Sequence, residues 1–126
     1  IVHAGDVGKP EVLESLRTIS KVHPVRGNVD GGKWADRLPL TDVVQVGQIY
    51  LYVLHDLDLL DLDPATAGFN VVISGHSHIP KIEERSGVLF LNPGSAGPKR
   101  FDYPISIAFL YIKGTSIETE IVELKE

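Results

Sequence analysis

Residues 70–78 read NVVISGHSH. The run Val71 to Ile73 is continuously apolar and too short for a helix, which is the composition of a strand buried on both faces. Gly75 ends it, and His76 and His78 follow two residues apart. In open α/β sheets, ligands gather beyond the carboxyl ends of strands. This stretch therefore indicates both the class of fold and the place to look for a site.

Working outward, Ile1 to Ala4 read as a short strand running into Gly5-Asp6. Pro10 then starts a helix whose Val12, Leu13, Leu16 and Ile19 share one face. A second strand is expected over Lys21 to Arg26, before the long loop GNVDGGKWADRLP at 27–39. Thr41 to Val46 and Gln48 to Leu54 form a hairpin about Gly47 and end at His55. The segment DLDLLDLDPATAG, 56–68, begins as an acidic loop and closes in a short helix capped by Asp63. Beyond the histidines come strands at Lys81 to Arg85, Val88 to Asn92, Ile105 to Ile112 and Ser116 to Leu124. The whole predicts an α/β sandwich of two stacked sheets, in a single domain over residues 1–126.

Composition narrows the function. Of the 126 residues, 43% are hydrophobic, enough for one core. Acidic residues outnumber basic ones 17 to 12, so no cationic face is available for stable nucleic-acid binding. No apolar run approaches the ~20 residues of a membrane-spanning helix. There is no cysteine, which removes thiolate chemistry and fits a reducing, cytoplasmic setting.

Asp6, Asn28 with Asp30, His55, His76 and His78 all fall at strand ends. Imidazole, carboxylate and amide oxygen make a mixed donor set suited to a divalent ion such as Mn, Fe or Zn. Residues i and i+2 of an extended chain point the same way, so His76 and His78 can approach a common centre, and Gly75 lets the backbone come close. Each residue has a plainer reading as well: turn chemistry for Asn28 and Asp30, a helix-end acid for Asp6, a strand-end histidine for His55. Asp56, Asp58, Asp61 and Asp63 lack the spacing of a calcium loop. His3 and His23 read as ordinary packed or surface histidines.

The ordered set Gly5-Asp6, Gly27-Asn28-Val29-Asp30, His55 and Gly75-His76-Ser77-His78 resembles the calcineurin-like metallophosphoesterase superfamily. NPGSAGPKR, 92–100, is similar to a segment of its small prokaryotic phosphodiesterase branch, related to the retromer scaffold subunit. The resemblance implies a four-layer α-β-β-α sandwich of two mixed sheets, and two divalent ions, with Mn favoured over Zn, Fe, Ni or Mg. Asp6 would bridge the ions; Asn28, His55 and His76 would complete one, and His78 would bind the other. The implied reaction is hydrolysis of a small phosphate ester, more readily a diester, by a metal-bridging hydroxide. Asn28 and Arg100 would contact the phosphate, and Asp30 would orient its neighbours.

Three departures stand out. The family's Asp-x-His strand is absent ahead of Gly5-Asp6, and residues preceding Ile1 are expected in the natural protein. Val29 stands where many members carry a histidine proposed as general acid, so no catalytic acid is assigned and good leaving groups are favoured. Asp56 follows His55 where glycine is common, and would either narrow the site or serve as an outer acceptor for that imidazole. The alternative is a scaffold of weak or no activity that binds a partner protein. Trp34 is placed either at the site or at a contact between copies in a homo-oligomer.

Overall fold

The computed structural model describes residues 1–97 and 102–124, so Lys99 and Arg100 lie outside the described residues. At its centre is a five-stranded mixed sheet in the order β3-β4-β5-β7-β6. Its strands are β3 (Thr41–Val46), β4 (Ile49–Leu54), β5 (Val71–Ile73), β6 (Lys81–Arg85) and β7 (Val88–Asn92). β5 lies between β4 and β7 and is parallel to both, pairing Val71 with Leu51 and with Leu89. Its three residues are buried, as an apolar run without alternation requires.

One face of this sheet packs Val44, Ile49, Leu51, Val53, Val71 and Ile73 against Val2, Ala4, Leu110, Ile112 and Ile117. The latter come from β1 (Val2–His3) and from the long hairpin of β8 (Ser106–Lys113) and β9 (Ser116–Glu123). The second layer is thus made in two parts, since β1 pairs in parallel with β2 (His23–Pro24) while β8 pairs with β9. The opposite face packs Tyr52, Leu54, Val72, Val88 and Phe90 against Leu57, Leu60, Leu62 and Phe69. The acidic 56–68 segment is therefore not simply a solvated loop: Leu57, Leu60 and Leu62 roof the sheet while Asp58, Asp61 and Asp63 are exposed. Asp63 caps α2 (Pro64–Ala67) by accepting from the Ala65 N–H, and Gly68 closes it in the left-handed region. With α1 (Pro10–Arg17), which buries Leu13 on the outer side, these layers give the expected α-β-β-α order.

β2 is shorter than the stretch 21–26 read as strand. His23 and Val25 still donate to the Ile1 and His3 carbonyls, but Arg26 turns away to donate to Pro39. Trp34 lines a cleft of about 440 Å³ between α1 and β2. That cleft shares no residue with the cluster of candidate ligands.

Candidate metal centre

Four of the five predicted ligands converge. His55, only 7% exposed at the end of β4, has its Nδ1 2.7 Å from the Ala4 carbonyl oxygen. A carbonyl only accepts, so Nδ1 carries a proton, and in the neutral imidazole Nε2 is then the nitrogen with the lone pair. That lone pair faces Asn28 Oδ1 at 2.8 Å, His76 Nδ1 at 3.3 Å and Asp6 Oδ2 at 3.4 Å. His76 Nδ1 is also 3.1 Å from Asn28 Oδ1. His76 can place one proton among these atoms; the remaining lone pairs confront one another. Imidazole, carboxylate and amide oxygen are the kind of mixed donors a divalent cation takes, so the chemistry of the set suits a metal. Among the described residues no group of three or more His, Asp or Glu side chains is placed to hold an ion as it stands; the four donors are linked pairwise through His55.

The backbone is shaped for this approach. A Cβ on Gly27 would overlap the Asp6 backbone nitrogen and Oδ1, and one on Gly5 would come 2.5 Å from His55 Nδ1. The Gly5-Asp6 and Gly27-Asn28 turns can meet only because both glycines lack a side chain. Asp6 Oδ1 accepts from the Val29 N–H at 3.1 Å, which leaves Oδ2 toward His55.

Asp30, 4% exposed, is not among the converging atoms. Its Oδ1 accepts from the Gly8 N–H at 3.0 Å and its Oδ2 from the Gly27 N–H at 2.8 Å, so it clamps the two ligand turns together. Burial opposes its charge, but hydrogen bonds from the backbone of Gly8, Gly27, Val7 and Asp6 prevail and hold its carboxyl below the usual range. Val29 is 56% exposed and brings no titratable group to the site.

His78 does not join the cluster; among the described residues it makes no hydrogen bond or ion pair with the other four. Both His76 and His78 have positive φ, at 67° and 63°, so the extended geometry expected to aim them together is not adopted. Asp56 is also displaced from its expected place. It accepts from the Asp58 N–H and lies 3.8 Å from His76 Nε2, while the outer acceptor of His55 is the Ala4 carbonyl. Composition gives no warning of a backbone partner. Asn92, the first residue of the NPGSAGPKR segment, is a further residue whose part composition does not announce. Its Nδ2 donates to the Gly75 carbonyl and to Ser77 Oγ, and its Oδ1 accepts from the Gly94 N–H, tying the end of β7 to the histidine loop. Arg100 lies outside the described residues.

The calcineurin-like phosphoesterase superfamily domain matches residues 1–115. The chain belongs to this superfamily. A probable metallophosphoesterase of Methanothermobacter thermautotrophicus is 36% identical over 97% of the chain and 74% of its own length. A second, from Methanocaldococcus jannaschii, is 37% identical over 75% of the chain but only 52% of its own length. Among solved structures, zinc-complexed Vps29 from Entamoeba histolytica shares the calcineurin-like fold at a TM-score of 0.76. It is 23% identical and aligned over 97% of this chain and 80% of that one. For the calcineurin-like superfamily, divalent-metal use is a general property.

Proposed function

We propose that this chain carries the ion-binding core of a divalent-metal-dependent phosphoesterase acting on small phosphodiesters. The observation that supports the reading is the His55 imidazole, whose proton is committed to Ala4 while its free lone pair meets Asn28, Asp6 and His76. Bound divalent ions supply Lewis-acid polarisation of a phosphoryl oxygen and lower the pKa of an attacking water. In this reading Asp6, Asn28, His55 and His76 hold one ion, and His78 serves a second that Asp6 shares. The mixed nitrogen and oxygen donors suit Mn, with Zn, Fe, Ni and Mg as competitors.

Asp30 keeps the two ligand turns in register, and Asn28 also faces the phosphate. Val29 has no proton to give a leaving oxygen, so esters of acidic alcohols are the favoured substrates. The deciding experiment combines elemental analysis of the Mn-exchanged protein with turnover of an aryl phosphodiester. Bound ion together with ion-dependent turnover that His76→Ala abolishes is the expected result; full turnover in His76→Ala would overturn the assignment.

The scaffold reading has one feature in its favour. Phe109 and Tyr111 stack on β8 with ring centroids 6.1 Å apart, and both are exposed, an apolar surface of the kind that protein partners use. Bound metal without turnover on any phosphate ester would favour it.

A further inference from the structure

Next to the converging ligands, on the side of His76 and Asp56, lies a cleft of about 410 Å³. Its lining includes Phe90 and Leu91 of β7, both buried, together with Leu57 and Ile79. Ile79 stands one residue beyond the histidine pair and is 44% exposed, an apolar side chain at the edge of an otherwise polar loop.

The charges around the cleft decide what it can hold. Lys81 and Arg85 on β6 would invite a second anion if they were free. Both are engaged by the same carboxylate: Glu83 Oε2 accepts from Arg85 at 2.8 Å and lies 3.2 Å from Lys81. Arg85 also sits over the Phe90 ring, 4.8 Å from its centroid. At the other end, Asp56 and Asp58 repel negative charge. An anionic group would meet cations already paired at one end and carboxylates at the other, whereas an uncharged apolar group would meet Phe90, Leu91, Leu57 and Ile79.

We infer that this cleft is the subsite for an uncharged, ring-sized apolar ester group of the substrate, with the phosphate at the ligand cluster and Ile79 as a specificity-determining residue. The inference rests on the phosphoesterase reading for what occupies the cluster. It adds the class of organic group that the enzyme selects.

Two phosphonates that differ only in this group test it without requiring turnover. Calorimetric titration of the Mn-loaded protein should show phenylphosphonate binding about tenfold more tightly than methylphosphonate, the order expected for removing most of a ring from water. Ile79→Glu should bring the two affinities close together. Ile82→Glu, at a residue of β6 equally exposed at 45% and outside the cleft, should keep the preference. Equal affinities in the wild type, an unchanged preference in Ile79→Glu, or no binding of either phosphonate would overturn the inference. Preferential binding of phenylphosphonate by a protein that hydrolyses no aryl phosphodiester would uphold the subsite and remove the hydrolase reading instead.

Discussion

The Ala4 carbonyl and the His55 imidazole are joined by a 2.7 Å hydrogen bond that spans 51 positions of sequence and fixes which ring nitrogen is free. The residue just after β1 thereby orients the imidazole just after β4. His55→Ala should lower Mn affinity by at least about 100-fold. It should also cost about 1–3 kcal/mol of stability by leaving the Ala4 carbonyl without its partner. Titration calorimetry and denaturant melts measure the two effects separately, and unchanged affinity would exclude ligation by His55.

Gly27→Ala tests the meeting of the two ligand turns. The new methyl group would overlap Asp6, so the turns must separate. A stability loss of about 1–3 kcal/mol is expected from overpacking, with loss of ion binding. Gly31→Ala, where nothing lies within 4 Å of the added carbon, is the control and should bind ion as the wild type does.

Asn92→Ala should reduce ion affinity by about 10–100-fold, the usual cost of losing an outer partner of a ligand, because the Gly75–Ser77 backbone would lose its anchor on β7. Affinity is the informative quantity here. An Asn92→Ala protein that melts lower yet binds ion normally would show that the anchor serves the fold alone.

Asp30 carries a pH dependence of definite sign. Its native carboxyl lies below the ordinary 3.8, so near and below that value the unfolded chain binds more protons than the folded one. The stabilisation is present above pH 3.8 and is lost as the pH falls through the native value. Asp30→Asn should flatten the acid limb of the stability curve, as seen by denaturant midpoints between pH 5 and 2; an acid limb as steep as in the wild type would be the contrary result.

His3 acts in the same direction at higher pH. Burial lowers its pKa from 6.5, against the pull of Asp30 and Asp6, and its neutral Nδ1 accepts from the Gly5 N–H at 3.2 Å. Its contribution is present above pH 6.5 and declines as the pH falls through the native value. In chelator, His3→Gln should lessen the loss of stability between pH 7.5 and 5.5, and an identical slope in both proteins would argue against His3 as its source.

The strands were legible in the sequence because alternation and apolar runs report burial directly: Val71 to Ile73, the 41–54 hairpin and the 116–123 strand all lie where their patterns place them. The ligand turns were legible for another reason, since glycine beside a polar residue marks a tight approach. β2 ended earlier than its pattern suggested, because Arg26 takes its partner from the distant Pro39 carbonyl. His78 was harder to place. A period of two holds for extended backbone, and the loop adopts positive φ at both histidines, which residue identity does not announce. The partners of His55 and of Gly75, a carbonyl and a distant asparagine, depend on tertiary contact and leave no mark in local composition.

Among the described residues, four other than glycine have positive φ: Asp6, His76, His78 and Ser86. Ser86 belongs to a hairpin turn; the other three are candidate ligands. Left-handed backbone at a side-chain-bearing residue carries a cost of order 1 kcal/mol or more. Replacing any of the three by glycine would relieve that cost while erasing a donor atom. Each of these donors is therefore held at a cost in stability that glycine at the same position would not carry.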